Sequence, residues 1–239
     1  MNDHPRAADP AGQFGPATYA DWRQSSLGEI VEDLEQRLVL RLAGDLQGRS
    51  VLDVGCGDGT LTLAFARGGA KSVVGCDIDP RMISRAAGRA AQENEQIVRY
   101  LVGDATRLPF VDQTFDLVTT ITVLAFVADA EGAVREMARV LKPGGMLVIG
   151  ELGKWSFWAA RRRVRGWLGS RMWRAAAFRT APRLRALVEA ARLRVEHVSG
   201  AIFFPPYLPL ASRLARWDAT LGERTTLGAA FIAVKSRKE

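Results

Sequence analysis

The stretch Val51-Leu52-Asp53-Val54-Gly55-Cys56-Gly57-Asp58-Gly59-Thr60 decides how this chain is read. Four residues of strand character run into three glycines spaced one apart. Apolar periodicity then resumes at Leu61, Leu63, Ala64 and Phe65 with the spacing of a helix. Glycine suits such a corner because a tight turn demands positive φ and because backbone must meet a ligand with no Cβ between them. A dinucleotide site wants G-x-G-x-x-G with a diphosphate on the helix N-terminus. Here the glycines fall as G-x-G-x-G and Thr60 follows. Asp53 would repel a diphosphate and suits a ligand with a cationic end. The competing reading is an ordinary glycine-rich loop between strand and helix.

Outward from the corner, strands alternate with helices. A first helix carries Ile30, Val31, Leu34, Leu38 and Leu42, and Gly44 stops it. The predicted strands are 51–54, 72–76, 97–102, 115–120 and 146–149, with helices near 60–67, 82–90 and 130–141 between them. Asp79-Pro80 opens one helix, the acid capping free N–H groups and proline fitting the first turn; Asp129 caps another. Lys142-Pro143-Gly144-Gly145 reads as a turn. Beyond Gly150 come a helix near 182–192, a sixth strand over 193–204, a break at Pro205-Pro206 and a seventh strand over 228–234. A rhythm of about 25 residues per strand and helix argues a parallel α/β sheet with ligands outside its carboxyl edge.

Composition bounds the rest. At 239 residues the chain suits one α/β domain with additions. Residues 1–14 read as a disordered tail without an apolar signal core, and 15–239 as one domain. No apolar run reaches the roughly 20 residues needed to cross a bilayer, so a cytoplasmic protein is expected. Cys56 and Cys76 read as small buried residues rather than a disulfide, and no Cys/His cluster has metal spacing. Charge is uneven. Residues 1–150 hold 15 basic and 20 acidic residues, whereas 151–239 hold 18 and 6. A basic third of this kind means an anionic partner or only a solvated face.

Further acids fall where the topology predicts ligands. Asp77 ends the second strand about 20 residues after the corner, where a carboxylate can accept from both ribose hydroxyls. Ile78 and Met82 would then lie against an adenine. Asp104 and Ala105 follow the third strand and suit the adenine N6 amine and N1. Taken with Asp112-Gln113-Thr114-Phe115-Asp116, Val123-Leu124-Ala125-Phe126-Val127-Ala128-Asp129 and Glu136–Gly145, these motifs resemble the class I S-adenosylmethionine-dependent methyltransferases, in the small-molecule branch that includes the ubiquinone/menaquinone C-methyltransferases. The resemblance covers about 19–151. It implies a Rossmann-like seven-stranded mixed sheet with the seventh strand antiparallel, helices on both faces, and a helical lid after the fifth strand over 152–180. It implies S-adenosyl-L-methionine as cofactor and S-adenosyl-L-homocysteine as product. Tyr19, in an aromatic stretch with Trp22, and Gly55, Cys56, Gly57 and Gly59 would hold the methionine part. Asp53 belongs to the same set, as does Thr120 at the end of the fourth strand.

The implied reaction is in-line methyl transfer to a small apolar or aromatic acceptor, in which orientation alone is worth about 7–11 kcal/mol. Glu151, directly after the fifth strand, is the candidate base or orienting acceptor; a helix cap or surface acid is its plain alternative. Thr120 and Thr122, at the end of the fourth strand, are further acceptor-side candidates, and His197 reads as structural. Phe204-Pro205-Pro206-Tyr207 is similar to the N-P-P-Y signature of amino-group methyltransferases, but it follows the wrong strand and begins with Phe. Residues 154–179 hold four of the six tryptophans among many arginines. A lid with aromatics inward and arginines in water is favoured over an anionic membrane surface, and that over nucleic acid. Two other functions compete: a non-catalytic RNA- or membrane-associated module that keeps a cofactor pocket, and an NAD-dependent oxidoreductase, against which the glycine spacing and Asp53 both count.

Overall fold

A computed structural model describes residues 25–239; the expected tail over 1–14 and Tyr19 lie outside the described residues. The elements run α1 (Ser26–Ala43), β1 (Ser50–Val54), α2 (Thr60–Arg67), β2 (Ser72–Asp77), α3 (Pro80–Gln92), β3 (Val98–Val102), β4 (Phe115–Ile121), α4 (Ala130–Val140) and β5 (Leu141–Leu152). They continue with α5 (Phe157–Trp167), α6 (Arg171–Ala175), α7 (Ala181–Ala190), β6 (Leu193–Ala201), α8 (Leu208–Arg224) and β7 (Phe231–Lys238).

Seven strands form one sheet in the order β3-β2-β1-β4-β5-β7-β6. β1 pairs in parallel with β2 and β4, β2 with β3, and β4 with β5. β7 is antiparallel to both β5 and β6. The order reverses beside β1, which opens a crevice at the carboxyl edge. Apolar residues of alternating parity feed two cores, one per face. Val51, Leu117 and Val148 pack with α1 and with Ala211 of α8. Leu52, Val118 and Ile149 pack with α4 and α7.

The expected caps are present: Asp79 accepts from Arg81 N and Asp129 from Gly132 N. Three boundaries differ from the sequence reading. The Lys142–Gly145 turn lies within β5 as a bulge, because pairing with β4 jumps from Phe115↔Leu141 to Leu117↔Met146. β6 ends at Ala201 and β7 starts at Phe231. α8 is a whole helix that the sequence reading lacks, although Leu210, Leu214, Trp217 and Leu221 recur at helical spacing. Pro209 stands in its first turn, shortly after the Pro205-Pro206 break.

Candidate functional site

The glycine corner takes its shape from backbone conformation. Gly55, Gly57 and Gly59 have φ of 72°, 55° and 80°. They are needed for different reasons. A Cβ on Gly55 would lie 2.0 Å from Val123 Cγ2, and one on Gly59 would meet the Tyr100 hydroxyl and Ala86. A Cβ on Gly57 would meet nothing within 4 Å. Gly55 and Gly59 thus serve packing, while Gly57 turns its bare Cα to the open side of the corner.

Asp77 ties the corner to β2. Its Oδ2 accepts from Gly57 N at 2.9 Å and its Oδ1 from Asp79 N at 2.9 Å. A carboxylate offers about four acceptor positions, so room is left for two hydroxyl donors. Ile78, directly after it, is 69% exposed, unusual for an isoleucine at a strand end and apt for a flat ring. Asp104 bonds Thr106 through Oδ1 in the turn after β3, and Ala105 is buried beneath it. Met82 is half-buried on the first turns of α3. The register places Cys76 beside Val54 and Val102 beside Asp77, so these groups share one edge of the sheet.

Asp53 turns inward. Its carboxylate accepts from Thr62 Oγ1 at 2.7 Å and Thr119 Oγ1 at 3.1 Å and is buried. Burial pushes it up to about 6, against the two hydroxyls that favour its charged form. It supports the corner from beneath, next to α2. Cys56 and Cys76 are buried free thiols; burial pushes Cys76 up to about 12 and Cys56 higher.

On the other side of the crevice, Thr120 Oγ1 and Glu151 Oε1 are buried with no hydrogen-bond partner among the described residues. Glu151 Oε2 lies 3.5 Å from Arg179 Nη1. Burial pushes the Glu151 carboxyl up to about 8, against the Arg179 charge and the nearby backbone N–H groups of Leu124, Leu152 and Ala125. It is therefore mostly protonated at neutral pH, a group able to exchange a proton. Thr122, at φ 56°, donates to Ile121 O. His197 sits exposed at a bulge in β6.

The Arg/Trp segment divides its aromatics. Trp158 is buried and donates from Nε1 to Phe204 O at 2.9 Å; Trp173 is buried against Ala125 and Leu152. Arg162 lies over both rings, at 5.4 and 4.9 Å from their centroids. Trp155 and Trp167 are exposed. The expected pattern of tryptophans inward and arginines outward therefore holds only in part.

Two contributors were missed from sequence. Arg89 of α3 reaches Asp58 Oδ2 at 2.9 Å and Thr60 Oγ1 at 2.6 Å, pinning the corner from outside. Tyr100 of β3 lies against Gly59 and Gly75. Neither carries a local motif. Arg179, the cation beside Glu151, was seen only as one arginine of a run.

A glycine corner on β1, an acid ending β2 and this strand order are those of the class I S-adenosylmethionine-dependent methyltransferase fold, which the chain shares. Residues 52–149 match the model of a methyltransferase domain. The demethylmenaquinone methyltransferase of Tropheryma whipplei (strain Twist) is 40% identical over 116 residues, 48% of this chain and 47% of that one. The ubiquinone/menaquinone biosynthesis C-methyltransferase of Idiomarina loihiensis is 40% identical over 129 residues, 52% and 51% of the two chains. The chain thus spans about half the length of these relatives. A Thermotoga maritima structure described as a SAM-dependent methyltransferase, possible histamine N-methyltransferase, shares the fold with a TM-score of 0.70 at 22% identity, covering 93% of this chain and 96% of that one.

Proposed function

We propose that the chain transfers a methyl group from S-adenosylmethionine to a small apolar or aromatic acceptor of the quinol type. The observation that carries it is the open side of Gly57 beside Asp77 and exposed Ile78, a cradle with backbone, carboxylate and apolar surface in the order an adenosyl ligand needs. S-adenosylmethionine supplies an electrophilic methyl group and leaves as S-adenosylhomocysteine. Gly55, Cys56, Gly57 and Gly59 would hold its methionine part with Tyr19, Asp77 the ribose, and Ile78, Met82, Asp104 and Ala105 the adenine. Asp53 steadies the corner from below, and Thr120 faces the junction between cofactor and acceptor sides.

At the acceptor side, the ionised fraction of Glu151, a minority at neutral pH that grows toward pH 8, would take up the proton that the acceptor carbon loses when the new C–C bond forms. Arg179 beside it would hold a developing acceptor oxyanion. Residues 154–179 would close over the acceptor, and their exposed tryptophans and arginines would touch a membrane surface. The quinone names of the matching relatives support this acceptor class.

The test is turnover of methyl-labelled S-adenosylmethionine with reduced demethylmenaquinone, followed by the mass of the product. A methylated quinol with Glu151→Gln slowed about 100-fold is expected. Cofactor binding without methylation of any quinol would sink the acceptor assignment; micromolar NAD binding with no S-adenosylhomocysteine binding would sink the whole reading.

A further inference from the structure

α8 carries a second feature that the reaction does not use. Its inward residues are Ala211, Ala215, Asp218 and Gly222; Ala211, Asp218 and Gly222 are buried and Ala215 packs on the core. One residue earlier in each case stand Leu210, Leu214, Trp217 and Leu221, about 100° around the helix. These four are 39%, 42%, 56% and 42% exposed. An exposed leucine alone is ordinary, but four large apolar residues in line over three turns form a continuous stripe.

The contacts of α8 fix where the stripe points. Ser199 Oγ donates to Gly222 O, and the Asp218 carboxylate accepts from Ile202 N and Phe203 N. Going from Gly222 back to Asp218 therefore follows β6 toward and past its carboxyl end. The earlier half of α8 continues in that direction, beyond the edge where the candidate site opens. There it meets α5: Trp158 bonds Phe204 O and shares a core with Phe204 and Ala211. Phe157 and Trp167 of the same helix α5 are exposed.

The segments that carry this surface are basic, although α1, which packs on α8, bears Glu29, Glu32, Asp33 and Glu35. Ten basic residues and no acid lie between Lys154 and Val188. Within α8, Asp218 is buried and Glu223 is held by Arg41 at 2.8 Å, whereas Arg213, Arg216 and Arg224 are exposed. Arg216 lies over the Trp217 ring at 5.6 Å from its centroid. Apolar and Trp side chains flanked by arginines match the boundary between acyl chains and anionic headgroups, while a protein partner would need acids to meet the same arginines. No helix among the described residues is long and apolar enough to cross a membrane, so the contact would be a surface one.

We infer that α8, through Leu210, Leu214, Trp217 and Leu221, docks together with α5 on an anionic bilayer and sets the mouth of the site on the membrane. This rests on the apolar-acceptor reading for its purpose, though not for its geometry: an acceptor dissolved in the bilayer would reach the site without crossing water.

The test uses the full chain. Flotation with vesicles rich in phosphatidylglycerol should recover the protein, phosphatidylcholine vesicles should not, and binding should fall steeply with salt. Leu214→Glu with Trp217→Glu should weaken anionic-vesicle binding by about tenfold or more. The same variant should keep its circular dichroism and its affinity for S-adenosylhomocysteine, which separates lost docking from lost fold. Arg213→Glu with Arg216→Glu should weaken vesicle binding and flatten its salt dependence. Absence of binding to the anionic vesicles, or unchanged binding by the Leu214/Trp217 variant, overturns the inference. A dimer in sedimentation velocity that the Leu214/Trp217 variant dissolves makes the stripe a contact between copies and overturns it equally. Vesicle binding that persists while no quinol is methylated supports the docking and strikes only the acceptor reading.

Discussion

The two sides of the crevice are built by different means. On the β1–β3 side, residues 53–60, 77–82 and 104–105 come from three short segments, each at the end of a strand. Its polar groups are satisfied: Asp77, Asp53 and Asp104 all have hydrogen-bond partners. On the β5 side, Glu151 meets Arg179 from 28 residues away, and Thr120 Oγ1 and Glu151 Oε1 have no partner among the described residues. The first side is a finished cradle that presents backbone. The second holds unspent polar capacity, as a surface that meets a varying or reacting ligand should. The methyltransferase-domain match over 52–149 ends before Glu151 and Arg179. Local turns thus build the first side, and long-range assembly builds the second.

The sharpest way to break this contrast is at the corner. Gly55→Ala forces a Cβ into Val123 at φ 72°, and should cost about 2–4 kcal/mol of stability in urea unfolding. Gly57→Ala has the same backbone strain but no clash, so it should cost about 1–2 kcal/mol and act mainly on cofactor affinity. Equal stability losses for the two would show that the corner is packing alone. Next, Asp77→Ala should weaken S-adenosylhomocysteine binding about 100-fold by calorimetry, two charge-assisted hydrogen bonds being lost. Near-normal affinity would remove the ribose assignment.

The acceptor side is sharpened by pH. Folded Glu151 keeps its proton up to about pH 8, whereas the unfolded carboxyl releases it near 4.5. The folded state holds the extra proton across that window, so stability falls as pH rises from about 4.5 to 8 and then levels. Glu151→Gln should flatten the fall, leaving at lower pH the smaller slopes owed to Asp53 and to Asp218, whose carboxyl burial also pushes up. An unaltered stability profile would show that Glu151 titrates normally. The smallest effect expected is that of Trp158→Phe, which removes the bond to Phe204 O and should cost about 1 kcal/mol in the same assay.

The corner was legible because its signals are local. Glycines at positive φ, an acid capping a helix and apolar alternation each act within a few residues. Gly55, Gly57, Gly59, Asp77, Asp79 and Asp129 are accordingly found where their spacing puts them. Asp53 shows the limit of such reading. Its place in the chain suggests a ligand contact, but strand parity turns its side chain toward Thr62 and Thr119. Arg89 and Tyr100 left no trace in the motif, because they act on it across the fold. The arginines after residue 154 were legible as charge and illegible as roles: Arg162 lies on two tryptophans and Arg179 beside Glu151, while others face water.

By itself, the sequence determined an α/β sheet whose carboxyl edge carries glycine backbone and acids, since strand period, turn chemistry and cap chemistry are short-range properties of the chain. Only the tertiary structure decided which glycine faces open space rather than a neighbour, that Asp53 lies beneath the corner, that Glu151 is buried against Arg179, and that α8 carries its apolar stripe past the edge of the sheet. Each of these depends on which surfaces are brought together and how much water they exclude. Burial sets proton affinity and exposure sets docking, and neither is written in any one segment.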